Sequence, residues 1–316
     1  MAKQPDWRPD DVSEGFEATT LAMADDYEGK VTATLLRQRS PEANGRAVLY
    51  IHGYCDYFFQ THVATEFIER GWDFYAVDLR KHGRSLQAHQ TPNFCRDIDE
   101  YFEDITAAIE VITDVDGATS LLLMGHSTGG LTSALYLSRG SRRDRVDALV
   151  LNSPFLEFNL PSGVGALMPV VASLGRRYPL LPLGRLPAAY GQSIHRSVHG
   201  QWSYDLAWKP IEGFPTRAGW VRSIRRAHRQ IHDGLVIEQP ILLLRSTRSV
   251  RPTRARPADG AAADLVLDVA DMVRYGPRLG RDVRLVAFDG ALHDVMLSAP
   301  SVRANVLATV FDWWPG

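Results

Sequence analysis

Cysteine is nearly absent: Cys55 and Cys95 are the only two in 316 residues. Two thiols make no disulfide framework, and their spacing fits no metal-ligand pattern, so no metal site is expected. A reducing compartment is the simplest reading. Long apolar runs are missing too. Without a stretch of about 18 apolar residues, no membrane span or stable membrane insertion is expected. The amino-terminal MAKQPDWRPDDVSEGFEA lacks a basic start followed by an apolar core. No secretory signal is therefore read there, and a cytoplasmic location is expected. Charge of one sign is also lacking. A net charge of -2 gives no global attraction to nucleic acid or to an anionic surface, so no nucleic-acid partner is expected. No internal repeat occurs, and no feature fixes an oligomeric state.

What the chain does have is a series of short apolar runs at residues 45–53, 73–80, 120–127, 146–154, 240–246 and 283–290. Each is rich in Val, Leu and Ile and ends at polar or turn residues. Such unbroken runs suit strands buried on both faces of a parallel sheet. Helical patterns lie between them at 58–70, 97–113, 128–139 and 264–275. This alternation predicts an α/β fold with a mostly parallel sheet and right-handed crossovers. Residues 15–39 read as an antiparallel lead-in. The rhythm breaks after residue 154, where seven prolines from Pro161 to Pro215 interrupt an apolar segment containing Trp202, Trp208 and Trp220. Short helices between prolines are expected there. The domain reading is a core of residues 1–154 and 236–316, with residues 155–235 as a helical lid. A second irregular stretch, RSTRSVRPTRARPADGAAA at 245–263, reads as a long exposed loop.

The run at 120–127 leads directly into Gly125-His126-Ser127-Thr128-Gly129-Gly130. Gly-x-Ser-x-Gly between a strand and a helix marks a sharp turn. Small residues let strand and helix approach, and the turn raises the serine hydroxyl above the sheet. That position lies at the carboxyl ends of the strands, where open α/β sheets bind ligands. Ser127 is thus the candidate nucleophile. The plainer alternative is a glycine-rich turn with an incidental serine.

A serine hydroxyl needs a base. Of ten histidines, His293 alone follows the last core run, in DGALHDVMLS, where a loop returns to the same sheet edge. An acid should orient the imidazole. Following the run at 240–246, Asp259, Asp264, Asp268 and Asp271 are available. Asp264 is preferred because it falls at a loop end beside a helix start, with Asp268 second; a helix cap is the structural alternative for Asp264. The backbone N–H groups of Thr128 and Tyr54 are the expected oxyanion donors, with Gly53 allowing close approach.

With these residues assembled, the chain resembles the α/β-hydrolase superfamily, and within it the monoacylglycerol-lipase and serine-aminopeptidase-like branch. The likeness is carried by His52-Gly53, DLRKHGRS at 78–85, the Gly-His-Ser-Thr-Gly-Gly turn, Asn152-Ser153-Pro154, and the late Asp264 and His293. The resemblance implies an eight-stranded, mostly parallel sheet with helices on both faces and a helical lid insertion. It also implies a Ser127–Asp264–His293 triad and no cofactor. The 29 residues from Asp264 to His293 (293 − 264) are a typical interval for that family. Lys81 departs from the family's Asp-x-Arg-Gly-His-Gly-x-Ser, the arginine-rich stretch replaces its compact Gly-x-x-Asp, and YCDYFFQ after Gly53 differs from the usual lipase sequence.

The expected activity is that of a serine hydrolase cleaving a small-molecule ester with a neutral or lipophilic acyl group, through an acyl-enzyme on Ser127. The apolar content of the lid, including Leu160, Leu167, Leu174 and residues 180–186, carries the substrate reading. Arg217, Arg222, Arg225, Arg226 and Arg229 read as a solvated helix face. Other acyl-bond hydrolases or transferases, aminopeptidase-like or thioesterase, form the alternative. A non-catalytic binding protein on the same fold ranks lower.

Overall fold

The computed structural model describes residues 4–160, 163–250 and 262–314. Nine strands form one sheet: β1 (Arg8–Pro9), β2 (Glu17–Ala22), β3 (Thr32–Gln38), β4 (Arg46–Ile51), β5 (Asp73–Asp78), β6 (Ser120–His126), β7 (Ala148–Asn152), β8 (Ile241–Ser246) and β9 (Val283–Phe288). Their order is β1-β2-β3-β5-β4-β6-β7-β8-β9. The first three pairings, up to β3 with β5, are antiparallel, and every later one is parallel. The eight strands implied by the resemblance are β2 to β9. β1 adds a two-residue edge strand, too short to leave a pattern in sequence.

Every residue of β5 and of β7 is buried, which is why these strands read as unbroken apolar runs. Alternate side chains enter two cores. One face carries Leu49, Leu123 and Leu151, against helices α2 (Tyr101–Glu110), α3 (Thr128–Arg139) and α7 (Val269–Tyr275). The other carries Val48, Tyr50 and Leu122, against α1 (Thr61–Ile68) and α8 (Pro300–Trp313). No helix is expected from sequence at α8. Val302, Val306 and Val310, spaced by four, were the available signal, and all three face the second core.

Between β7 and β8 the chain makes α4 (Met168–Arg177), α5 (Ala189–Ile194) and α6 (Ala218–Asp233), joined by irregular proline-containing stretches. Residues 251–261 of the arginine-rich stretch lie outside the described residues. Its flanks are tied together: Val250 N–H donates to Asp264 O at 2.9 Å and Asp264 N–H to Arg248 O at 3.0 Å. Among the described residues, no helix is long and apolar enough to cross a membrane.

Lys81 explains its own departure from the family pattern. Its backbone is left-handed, with φ +63°, a conformation that favours glycine. Its side chain is fully buried, with Nζ 2.5 Å from Asp26 and 2.6 Å from Glu28, and lies 4.3 Å from the Tyr27 ring centroid. The ammonium thus ties the lead-in between β2 and β3 to the loop after β5, and this pairing offsets the backbone strain. Lys81→Met leaves two nearly buried carboxylates without their counter-charge. It should lower unfolding stability by about 3 kcal/mol or more in chemical denaturation, and a loss below about 1 kcal/mol would show that the ion pair does not hold this junction.

Candidate active site

Ser127 occupies the turn from β6 into α3 with φ +53° and ψ -116°, outside the regions most side chains accept. The surrounding backbone fixes it there. Ser127 N–H donates to Asn152 O at 2.9 Å, and Ser127 O accepts from Phe155 N–H at 3.0 Å and Leu131 N–H at 3.1 Å. The neighbouring glycines are required by close approach. A Cβ on Gly125 would lie 2.7 Å from Gly129 O, and one on Gly129 would collide with the carbonyl oxygens of Ile51 and His52. The glycine-flanked motif is therefore the sequence record of a helix driven against two strand ends.

The structure brings the three side chains selected from sequence into a row. His293 Nε2 lies 3.0 Å from Ser127 Oγ, and His293 Nδ1 lies 2.9 Å from Asp264 Oδ2. A carboxylate only accepts, so Nδ1 carries the proton and Nε2 faces the hydroxyl with its lone pair. Asp264 is fully buried. Its other oxygen accepts from Val266 N–H and Leu267 N–H, both at 2.8 Å. The helix-cap reading belongs to Asp268 instead: it caps α7, accepting from Ala270 N–H at 3.0 Å. Asp271 lies within α7, where burial first, and then Asp268, raises its pKa to about 6.

The loop after β4 sits against the turn. A Cβ on Gly53 would lie 3.2 Å from Ser127 Cβ. His52 sets the orientation of this loop. Its Nε2 accepts from Leu79 N–H at 3.0 Å, so Nδ1 bears the proton and donates to Gly53 O at 2.8 Å. In a trans peptide the N–H points opposite to the C=O. With the Gly53 carbonyl turned to His52, the Tyr54 N–H is turned the other way. Among the described residues, neither Tyr54 N–H nor Thr128 N–H has a hydrogen-bond acceptor.

The hydrolase family described as serine aminopeptidase, S33, matches residues 42–255. The chain belongs to this family. A monoacylglycerol lipase of Mycolicibacterium smegmatis is 30% identical over 155 residues, covering 47% of this chain and 52% of that protein, so the match spans about half the relative's length. The fold is shared with a soluble variant of monoglyceride lipase from Saccharomyces cerevisiae, with a TM-score of 0.71 at 13% identity over 98% of both chains. It is shared likewise with a monoacylglycerol lipase of Paleococcus ferrophilus, with a TM-score of 0.64 at 22% identity over 88% of this chain and 97% of that one.

In this S33 member the row is backed by a buried polar network that sequence analysis did not single out. Asp294, next to His293, accepts from Asn152 Nδ2 at 2.7 Å, Gln60 Nε2 at 3.1 Å and Met296 N–H at 3.0 Å. Its own N–H donates to Tyr190 Oη at 3.2 Å. Burial works against its charge, but the Asn152 and Gln60 amide donors and the Lys209 ammonium hold its carboxyl below the ordinary range. The network fixes the His293 loop to the end of β7. An acid directly after the candidate base was the available signal.

Several histidines around this end of the sheet are buried or half-buried and kept neutral. Burial lowers His62 and His126, and pushes His82 well below its ordinary value with His52 adding to the shift. Burial takes His228 from 6.5 to about 3. All four bind protons more readily once unfolded, so the stability they contribute above pH about 6.5 drains away as pH falls toward their folded values. The melting temperature should therefore drop steeply as pH is lowered below 6.5, and His228→Gln should flatten that slope. An identical slope in the variant would remove His228 from the acid response.

Proposed function

We propose that the protein is a serine esterase cleaving neutral or lipophilic carboxylic esters through an acyl-enzyme on Ser127. The observation that carries this reading is the row Ser127 Oγ, His293 and Asp264, at 3.0 and 2.9 Å. In the proposed cycle His293 Nε2 takes the hydroxyl proton as Oγ attacks the ester carbonyl. Asp264 stabilises the imidazolium and keeps the tautomer. The Tyr54 and Thr128 N–H groups receive the developing oxyanion, aided by the amino terminus of α3. His293 then returns its proton to the leaving alcohol. Water attacks the acyl-enzyme, with His293 again as base, and the carboxylic acid leaves. No step calls for a cofactor.

The substrate class is supported by the segment between β7 and β8, read here as a lid over residues 155–235. Leu167, Val170, Tyr178 and Leu180 on this segment expose large apolar surfaces, which suits a lipophilic acyl group. The named relatives, which are monoacylglycerol and monoglyceride lipases, point the same way. A cytoplasmic setting agrees with the free, buried thiols of Cys55 and Cys95.

Ser127→Ala should lower hydrolysis of p-nitrophenyl esters by about 10^4-fold or more. A fluorophosphonate probe should label wild type and leave the variant unmodified. Turnover undiminished in the variant would defeat the assignment. A panel of esters of graded acyl length, with matched amides and thioesters, should show preference for the esters and for apolar acyl chains. Preference for the amides would move the protein to the peptidase side of its family.

A further inference from the structure

The turn that carries Tyr54 is strained. Cys55 has φ +53°, a left-handed conformation that a non-glycine residue keeps only where its surroundings enforce it. The enforcement comes from the segment inserted between β7 and β8, which grips residues 54, 55 and 56 in turn. The Tyr54 ring lies on Trp220 of α6, with centroids 4.2 Å apart. A Cβ on Gly213 would lie 3.7 Å from Cys55 Sγ. Asp56 Oδ1 lies 2.6 Å from Lys209 Nζ, with only 3% and 10% of the two side chains exposed. The Lys209 ammonium also lies 5.2 Å from the Phe59 ring centroid and 5.4 Å from that of Tyr204.

We propose that Lys209 is a positioning residue: by neutralising the buried Asp56 carboxylate it keeps that side chain inside and the strained 54–56 turn in place, so that the Tyr54 N–H stays aimed at the acyl oxygen. The proposal rests on the serine-esterase reading above. A buried carboxylate is tolerated with its partner and strongly unfavourable without it. Among the described residues, the other hydrogen bond to the Asp56 side chain comes from Tyr57 N–H at 3.0 Å. Deprived of Lys209, the carboxylate must turn out to water or take a proton. Turning out rotates the backbone at Asp56, relaxes Cys55 and carries the Gly53–Tyr54 peptide away from its aim. A ground-state carbonyl gains little from that N–H, whereas the oxyanion depends on it. The damage should therefore fall on kcat and spare KM.

The test compares wild type, Lys209→Met and the double variant Asp56→Asn/Lys209→Met on one p-nitrophenyl ester, with Lys209→Gln as a second single variant should the methionine form not fold. The single variant should lose about tenfold to a hundredfold in kcat at nearly unchanged KM, the scale of a weakened oxyanion donor. The double variant, which removes the charge along with its partner, should regain most of that loss. A folded single variant with wild-type kcat, a change confined to KM, or a double variant no better than the single one would overturn the proposal. Wild type that is both inert and unlabelled by fluorophosphonate would instead sink the esterase reading, so the two failures are distinguishable.

Discussion

The closeness of α3 to the end of β4 is the constraint on which the candidate site depends. Gly129 stands where any side chain would strike the carbonyl oxygens of Ile51 and His52. That contact forces Ser127 into its positive-φ turn, and it also seats the loop beginning at His52 beside the serine. The hydroxyl and the start of the loop that carries the Tyr54 N–H are therefore brought side by side by one backbone approach. Preorganisation of this kind lets donors act on developing charge without rearranging first.

Around that contact, buried charges among the described residues stand beside definite partners. Arg84 reaches Asp10 at 2.8 Å and Asp78 at 2.9 Å; Arg80 reaches Asp104 at 2.5 Å. Such pairs add little net stability over an apolar packing of equal volume, yet losing one partner is expensive. They serve here to fix loops at the carboxyl ends of the strands, where backbone hydrogen bonding of the sheet has run out. The DLRKHGRS segment illustrates this: Asp78 accepts from Phe58 N–H at 2.8 Å and Arg84 N–H at 3.0 Å, and so joins the loops after β4 and β5.

Much of the sheet was legible because its central strands are buried on both faces and cannot alternate. β6 and α3 were delimited nearly to the residue by the glycine-flanked serine. β1 and α8 were not read, the first because two residues carry no pattern, the second because its valine spacing went unused. At the site, Ser127 and His293 were legible from motif and chain order, since both fall at turns leaving core strands. Asp264 was preferred to Asp268 for its place at a loop end beside a helix start and for the family interval. In the structure, Asp264 points both oxygens inward while Asp268 caps α7, a distinction of side-chain direction that a linear pattern cannot carry. Lys209 was silent in sequence because its partner, Asp56, stands more than a hundred residues away, and Asp294 showed only its place directly after His293, its partner Asn152 being as remote.

The pairing of Ser249 with Asp264 bears on how this chain can vary. Their parallel bridge clamps the two ends of the arginine-rich stretch beside β8, so the acid's place is settled by its own local hydrogen bonds. The length between the clamped ends is then decoupled from the carboxylate, and chain length in such a closed loop carries only a slowly growing entropic cost. Lineages could shorten or extend that stretch freely. For the protein engineer it is a natural graft point, where a foreign peptide can be spliced in while the imidazole keeps its acid.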